Sequence, residues 1–275
     1  MSEDVASQLT ADLDILDTEY TVSDDQRQAL NDRGWTSLPD LLSRDVAELI
    51  REELTGLKPK EYGAEYAHMS ELFAKQTGAH AGAWQKPFLT RVATSRRVAG
   101  AALQLTGQSE AVLADDIRFV KEPGCPMAPF HQDHPQFPFD RKGCLTLWIA
   151  LVDIAENMGP LRYLNGSHRD GLLGFAGGQE MMEAFPELAE RTVGAGTAIA
   201  AGSAFAHWDT TVHGTAANEG TVAREAWAVR FIRPDTVYNG VSHVHYDKFN
   251  LTRGDRFGDL AEFPLVGRAG LKQRA

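Results

Sequence analysis

The first third of the chain carries apolar residues at helical spacing. Ser23 and Gln26 form a capping-box pattern, which predicts a helix that begins there and ends near Gly34. A further helix is predicted over residues 90–106. Between these two, a helix is predicted after Ser43, and its apolar face comprises Val46, Ile50, Leu54 and Leu57.

From about residue 112 the pattern changes to short β-rich segments, which are separated by turn residues such as Asn165-Gly166. After an early strand over Trp35 to Leu38, the predicted strands are Asp116–Lys121, Leu145–Leu151, Leu161–Leu164, Thr197–Ala200, Ala204–His207, Thr211–His213 and Arg224–Ile232. Helices first and many strands afterwards favour an all-β jelly roll or sandwich with an N-terminal helical layer.

This order of elements predicts a single domain over residues 23–275, preceded by a loose acidic arm over residues 1–22. Two segments fall outside the strand pattern. Residues 60–86 are expected to form a loop with short helix, and residues 169–192 a glycine-rich and then helical insertion. The glycines and methionines of this insertion suit a lid that closes over a bound ligand.

Composition and charge restrict the partners of this domain. The 275 residues carry a net charge of −11, which argues against nucleic acid, because phosphate contacts need clustered lysine and arginine. No apolar run is long enough for a membrane span, and the start Met-Ser-Glu-Asp lacks the pattern of a signal peptide. The two cysteines, Cys125 and Cys144, suit a reducing cytoplasm. A small-molecule partner is expected, and the oligomeric state stays open.

The motif with the clearest chemical meaning is His-x-Asp. It occurs as His131/Asp133, His168/Asp170, His207/Asp209 and His245/Asp247. Residues i and i+2 of a strand point to the same side, so such a pair delivers two metal ligands together. With nine histidines and 38 acidic residues, chance matches are expected, and the spacing alone does not choose among the pairs.

Strand context favours one ligand set. An open iron(II) centre needs two histidines and one carboxylate on one face of an octahedron, with the other face free. His131 and Asp133 lie between two predicted strands, and His213 is a distal histidine on a later one. The competing set joins His168 and Asp170 to His213. Too few strands follow the remaining pairs to supply their third ligand.

An iron(II) oxygenase that uses 2-oxoglutarate as cosubstrate also needs a cation for the remote carboxylate of that molecule. Arg224 begins the strand after His213, and the small residues Ala226 and Ala228 share its face, which leaves room for a ligand. The planar guanidinium grips a carboxylate with two hydrogen bonds. Arg224 is therefore the expected anchor of this cosubstrate.

Three other polar side chains near these motifs receive structural interpretations. Lys121, which precedes Glu122-Pro123, is expected to be a solvated strand end. His207 is expected to be a core residue or a neighbour of the metal ligands. His134 should point away from Asp133, either to the surface or to a substrate.

Taken in order, these motifs resemble the phytanoyl-CoA dioxygenase family. Phe130-His131-Gln132-Asp133 is similar to its first metal motif, and Val212-His213-Gly214-Thr215 is similar to its second. Asn165-Gly166-Ser167-His168 lies between them, and Arg224 keeps the spacing of the family's arginine from the distal histidine. The resemblance covers most of residues 23–235.

The resemblance implies a double-stranded β-helix, which is a cupin-like barrel. It implies iron(II) ligands at His131, Asp133 and His213, a 2-oxoglutarate anchor at Arg224, and a cosubstrate pocket lined by Thr146 and Trp148. The implied reaction consumes O2 and 2-oxoglutarate, releases succinate and carbon dioxide, and oxidises a substrate C–H bond. The outcome is hydroxylation, epimerisation, ring closure or desaturation. The carboxylate of Asp133 disfavours halogenation.

A small organic substrate of bacterial secondary metabolism is expected, since abundant Ala, Gly and Arg suggest a GC-rich bacterial genome. Substrate choice is expected to lie in the barrel-mouth segments 60–86, 134–139 and 169–192. Three alternatives stay open. A fatty acyl-CoA hydroxylase is disfavoured by the acidic net charge. A metal cupin with isomerase or lyase chemistry would not need Arg224, and a non-enzymatic binding barrel would close the coordination shell of its metal.

Overall fold

Most helices lie in the first part of the chain and most strands follow them, as the apolar pattern predicted. The computed structural model describes residues 13–55, 77–79, 86–174, 179–243 and 245–272. Its α-helices are α1 (Asp24–Arg33), α2 (Arg44–Thr55), α3 (Pro87–Ala93), α4 (Val98–Thr106) and α5 (Gln179–Ala184). None of these described helices has the length and apolar character that a membrane crossing requires.

The ends of α1 are set by local hydrogen bonds, and the prediction for this helix is confirmed. The Ser23 side chain accepts from the backbone N–H of Gln26, and the Gln26 side chain accepts from the backbone N–H of Ser23. Gly34 ends the helix with a φ of 86°, a left-handed conformation that glycine adopts without steric cost. Both signals lie within a few residues of the helix, so they could be read from the sequence.

The single helix predicted over residues 90–106 is in fact two helices, and that prediction is wrong at its centre. Helix α3 ends at Ala93, and α4 begins at Val98. The Ser95 hydroxyl accepts a hydrogen bond from the backbone N–H of Val98 at 3.0 Å. A serine side chain that bonds nearby backbone in this way favours a new helix start over continuation of the first helix.

The strands of the described chain form two antiparallel sheets. They are β1 (Trp35–Leu38), β2 (Thr77–Ala79), β3 (Glu110–Lys121), β4 (Ala128–His131), β5 (Leu145–Ala150), β6 (Leu161–Leu164), β7 (Val193–Ala195), β8 (Ala204–Trp208), β9 (His213–Thr215), β10 (Arg224–Ile232), β11 (Leu265–Gly267) and β12 (Gly270–Leu271). The larger sheet has the order β1-β8-β5-β10-β3-β11-β12, with β2 beside β3, and the smaller sheet has the order β4-β9-β6-β7. This is the jelly-roll architecture that the sequence predicted.

The side chains of strand β10 are buried on both faces of the larger sheet. Trp227, Val229 and Phe231 pack with the helices on the outer face. Ala226 and Ala228 point the other way and join the apolar cluster between the two sheets. Because these inward residues are small, the middle of the barrel has room for polar side chains from both sheets.

Two predicted strands are displaced, and four strands, β2, β4, β11 and β12, were not predicted. The strand expected over Thr197–Ala200 lies at Val193–Ala195, because the backbone turns at Gly196, which has a φ of 78°. The strand expected over Thr211–His213 begins only at its last residue. Strand β4 was not predicted because it contains Pro129, which has no N–H for a ladder. A proline is tolerated there because β4 lies at the edge of the smaller sheet.

The N-terminal arm predicted over residues 1–22 is described from residue 13 onwards. In that part, Leu16 and Val22 are buried in the same core cluster as the helices. Residues 1–12 lie outside the described chain, as does most of the 60–86 segment. That segment was expected to form a loop with short helix, but its described residues Thr77–Ala79 form strand β2 beside β3.

The insertion over residues 169–192 lies against the smaller sheet where it is described. Leu173, Met181 and Leu188 are buried in one cluster with Leu164 of β6 and with Val212. Residues 175–178, which include two glycines of the predicted lid, lie outside the described chain. Closure of this insertion over a ligand stays a prediction.

The packing of the N-terminal segment predicts the stability effect of Leu16→Ala. Leu16 is 0% exposed, so truncation leaves a cavity and should lower the free energy of unfolding by about 2–5 kcal/mol in urea titrations. Leu172→Ala is the matched control, because Leu172 is 57% exposed and its loss should change stability by no more than about 0.5 kcal/mol. A loose arm at Leu16 would make the two variants equally stable.

Candidate functional site

Strands β4 and β9 bring two histidines together. His131 and His213 are direct partners in this antiparallel pair, so their side chains leave the same face, and their ring centroids are 4.4 Å apart. Asp133 follows two residues after His131, and its Oδ1 atom lies 3.7 Å from Nε2 of each histidine. One atom from each residue lies within 4.8 Å of the others. With bonds of about 2.1 Å, a single ion between them could reach all three.

Each histidine of this cluster is oriented by its second ring nitrogen. Nδ1 of His131 donates to the carbonyl of Pro129 at 2.9 Å, and Nδ1 of His213 donates to the carbonyl of Thr211 at 2.9 Å. A carbonyl can only accept, so each Nδ1 carries the proton and each Nε2 presents a lone pair. The donor set of His131, Asp133 and His213, called the ligand cluster below, therefore fits a divalent transition metal.

The charges around Asp133 keep it ionised. Burial by itself would raise the pKa of this carboxyl, but His213, Arg230 and the other neighbouring histidines hold the pKa well below its usual range. Burial lowers the pKa of His213 well below that of a free histidine. A carboxylate and a neutral imidazole are the protonation states that metal binding requires.

Two more polar side chains reach Asp133 from the larger sheet. Nε2 of His207 lies 3.8 Å from Oδ2 of Asp133, and a terminal nitrogen of Arg230 lies 3.7 Å from the same oxygen. The interpretation of His207 as a neighbour of the ligands agrees with this position. Arg230 received no role from the sequence, although its place on the same strand face as Arg224 was a usable signal.

A second polar group lies at the start of β10. Arg224 is 1% exposed, and its guanidinium carbon is 5.2 Å from the centroid of the Trp148 ring. Within the described chain, its Nε atom has no hydrogen-bond partner and no carboxylate forms an ion pair with it. Burial lowers the pKa of Arg224 to about 10. Among the described residues, this guanidinium is therefore a buried cation without an anion to balance it.

Lys121 lies beside Arg224, as its partner across β3 and β10. It is fully buried, and its Nζ donates to the carbonyl of Pro126 at 2.6 Å and to the hydroxyl of Thr215 at 2.9 Å. Burial, followed by the charge of Arg224, lowers the pKa of Lys121 to about 8. The expected solvated strand end is wrong, because the alternation of β3 turns this residue into the barrel. Arg224 and Lys121 are called the buried cation pair below.

Strand β5 contributes Thr146 and Trp148 from one face, between the ligand cluster and the buried cation pair. The strand register places Thr146 beside His207 and Arg230, while Trp148 lies beside Ala228. The hydroxyl oxygen of Thr146 is buried, with no hydrogen-bond partner in the part of the chain that the structure describes. Both side chains thus face the interior, and the cosubstrate pocket that the family resemblance implies for them stays a prediction.

The competing ligand set is not brought together. Nε2 of His168 donates to the carbonyl of Asn31 at 3.0 Å, which ties the loop after β6 to the end of α1. Asp170 is ion-paired with Arg191. Neither side chain is among the candidate metal ligands of the described chain.

The remaining His-x-Asp carboxylates are also engaged elsewhere. Asp209 accepts from Nδ1 of His134 at 2.7 Å, and both residues are buried. The surface position considered for His134 is therefore wrong, because the backbone after Asp133 directs the ring of His134 inward to Asp209. Asp247 accepts from the backbone N–H of His243 at 2.8 Å.

Comparison with known families identifies the group to which the chain belongs. The model of the phytanoyl-CoA dioxygenase family (PhyH) matches residues 30–226, so the chain is a member of that family. The resemblance of the motifs and the expected enzyme class, a dioxygenase, are thereby confirmed. No curated protein matches the chain.

Three solved structures have a similar fold. SnoK, a non-heme alpha-ketoglutarate-dependent carbocyclase from nogalamycin biosynthesis, has a TM-score of 0.76 and 25% identity over 90% of this chain and 97% of its own. The epimerase SnoN, solved with Fe3+, alpha-ketoglutarate and nogalamycin RO, has a TM-score of 0.70 and 21% identity over 88% of this chain and 97% of its own. EctD from S. alaskensis, solved with 2-oxoglutarate and 5-hydroxyectoine, has a TM-score of 0.66 and 19% identity over 88% of this chain and 89% of its own.

The geometry of the ligand cluster predicts which histidines are needed for metal. Alanine in place of His131, Asp133 or His213 should abolish turnover and strongly weaken iron(II) binding, while thermal unfolding shows that each variant still folds. His168→Ala should bind iron(II) like the native protein, because its ring contacts Asn31. Anaerobic iron(II) titration measures all four, and loss of metal in His168→Ala with retention in His131→Ala would overturn the assignment.

Proposed function

We propose that this chain is an iron(II)- and 2-oxoglutarate-dependent oxygenase that uses O2 to modify a small organic substrate. The ligand cluster of His131, Asp133 and His213 holds the iron. The buried cation pair holds the remote carboxylate of 2-oxoglutarate, with Thr146 and Trp148 along the cosubstrate between the two groups. The observation that carries this proposal is the buried cation pair.

A buried cation pair needs an anion. Two adjacent positive charges inside a protein repel each other and lose their hydration, and a bound carboxylate compensates both effects. The lowered pKa values of Arg224 and Lys121 reflect the uncompensated burial. A dicarboxylate suits the interior, since one end can meet the cations while the other approaches the ligand cluster. A metal cupin that works without 2-oxoglutarate has no use for such a pocket.

The chain's residues orient the reactants and shield them from water. Bound iron supplies the activation of O2 and the oxidative decarboxylation of the cosubstrate. The buried cation pair fixes the cosubstrate from the closed interior of the barrel. The His131 side chain is 26% exposed, against 9% for Asp133 and 7% for His213, so the site opens beside His131. The substrate approaches from that side.

The reaction is proposed to be a tailoring step of bacterial secondary metabolism. SnoK is a carbocyclase and SnoN an epimerase of nogalamycin biosynthesis, so ring closure and epimerisation join hydroxylation as candidate outcomes. Substrate choice is assigned to the rim segments 134–139 and 169–192, with 60–86 largely outside the described residues. A cytoplasmic location is proposed because neither Cys125 nor Cys144 forms a disulfide in the described chain.

Removal of the guanidinium of Arg224 tests the cosubstrate pocket. Loss of one partner of a buried ion pair costs about 2–5 kcal/mol, which is roughly a 30-fold or greater loss of affinity. Arg224→Ala should therefore need far more 2-oxoglutarate in anaerobic titrations of the iron-loaded protein. Arg233→Ala is the control, because Arg233 is an exposed arginine just beyond the other end of β10. Equal 2-oxoglutarate affinity in the two variants would favour the cupin alternative.

The pKa of Lys121 predicts a pH dependence. Protonated Lys121 attracts a carboxylate and neutral Lys121 does not, so affinity for 2-oxoglutarate should fall as pH rises through about 8, the lowered pKa of this residue. The affinity of Lys121→Met should be weaker below that pH and flat across it, whereas Lys121→Arg should stay tight. Titrations with 2-oxoglutarate above and below that pH measure this dependence. The same pH dependence in Lys121→Met as in the native protein would show that Lys121 does not bind the carboxylate.

A further inference from the structure

We infer that His207 and Arg230 act as a carboxylate clamp, which holds the outer oxygen of Asp133 and fixes the direction in which that carboxylate meets a metal. The inference rests on the proposed function, because it takes the ligand cluster as the metal site. His207 and Arg230 are positioning residues, which lie beside the metal ligand Asp133 and do not themselves bind the metal.

The two oxygens of Asp133 face different surroundings. Oδ1 lies 3.7 Å from Nε2 of His131 and 3.7 Å from Nε2 of His213, on the side where the histidine lone pairs converge. Oδ2 lies 3.8 Å from Nε2 of His207 and 3.7 Å from a terminal nitrogen of Arg230. One oxygen is thus directed at the metal position and the other at two nitrogen donors of the larger sheet.

The hydrogen-bond partner of His207 fixes which nitrogen carries its proton. Nδ1 of His207 lies 3.0 Å from the hydroxyl of Tyr163, and Nε2 is buried with no hydrogen-bond partner in the described residues. A carboxylate facing Nε2 favours the proton on that atom, and the tyrosine hydroxyl then donates to Nδ1. His207 therefore presents an N–H to Asp133 and offers no lone pair on that side. This explains why a third histidine beside the cluster is not a fourth ligand.

Arg230 is held rigidly from two sides. Its guanidinium forms an ion pair with Asp115 at 2.8 Å and lies over the ring of Phe137, 5.0 Å from the centroid. The other oxygen of Asp115 lies 3.4 Å from the hydroxyl of Tyr246. The ion pair uses Nη1 of Arg230, while Nη2 is the nitrogen that lies 3.7 Å from Oδ2 of Asp133. Donor capacity thus remains beside Asp133 after the ion pair is made.

The distances to Oδ2 exceed an ordinary hydrogen bond by about 1 Å. A side-chain displacement of that size brings either donor into range. His207 in β8 and Arg230 in β10 are the cross-strand partners of Thr146, which lies on β5 between these two strands. The sheet therefore holds the two donors at a constant separation. A rigid pair of donors selects one orientation of the carboxylate between them.

The clamp has a chemical purpose in an open metal site. A carboxylate that is free to turn can bind a metal through both oxygens, which occupies one more coordination position. With Oδ2 held by two donors, Asp133 binds through Oδ1 alone. The positions needed by the cosubstrate and O2 then stay free. Groups that orient a ligand in this manner typically change metal affinity by about 10- to 100-fold when they are removed.

The first arm of the test compares two substitutions of His207 with cobalt(II), a spectroscopic stand-in for iron(II), in the absence of 2-oxoglutarate. His207→Leu deletes the donor and should weaken cobalt(II) binding about 10- to 100-fold. It should also alter the visible spectrum, since Asp133 is released to bind through both oxygens. His207→Gln keeps an amide N–H near the position of Nε2 and should restore both the affinity and the spectrum.

The second arm removes Arg230 without leaving a buried charge unpaired. Arg230→Met is combined with Asp115→Asn, and Asp115→Asn alone serves as its reference. The double variant should lose cobalt(II) affinity by a similar factor relative to that reference. His168→Leu is the control for loss of a histidine outside the site and should match the native protein. Thermal unfolding without metal identifies any variant that is not folded. If the Arg230 double variant is not folded, the comparison of His207→Gln with His207→Leu still tests the clamp.

The outcomes separate the clamp from the proposed function. Absence of cobalt(II) binding in the native protein would remove the metal site itself. Native binding, with equal affinity and an unchanged spectrum in His207→Leu and the Arg230 double variant, would overturn the clamp alone. Each cobalt-loaded variant is then titrated with 2-oxoglutarate. Retained cobalt(II) affinity with a loss of 2-oxoglutarate affinity would also overturn the clamp, because the two donors would then serve the cosubstrate.

Discussion

The pairing of β4 with β9 is the constraint on which the site depends. It sets His131 directly opposite His213, and a slip of one residue would send one of the two rings to the other face of the sheet. Gly214 makes this close pairing possible, since a Cβ there would lie 2.7 Å from the carbonyl oxygen of Ala128. Asp133 then needs only to follow the end of β4 to complete the ligand cluster.

The larger sheet carries the other half of the site, and the two faces of β10 have different roles. On the outer face, Trp227 packs in the helical layer and donates from its ring N–H to Asp116 at 2.7 Å. That apolar face contributes stability through burial. The inner face of the same strand can therefore hold Arg224 and Arg230, one beside the proposed cosubstrate end and one beside Asp133, despite the free energy that buried charge requires.

Features governed by neighbouring residues were predictable. The capping box at Ser23 and the glycine after α1 are set by contacts within a few positions, and both were found where predicted. Strand β10 was predicted with its observed bounds because its apolar run is long and lies between clear turns. The pattern failed where a local signal misled: Ser95 breaks a helix whose apolar spacing continues, and Pro129 conceals an edge strand.

By itself the sequence determined the ends of α1, the fold class and a short set of candidate ligands, because hydrogen-bonding caps, residue alternation and motif order are all recorded locally. The tertiary structure alone decided which polar residues share the interior. His207 lies beside Asp133 while His168 lies beside Asn31, and Lys121 is buried next to Arg224. These neighbours come from the order and register in which distant strands pair. The pattern within any one strand carries no record of which strand will lie next to it.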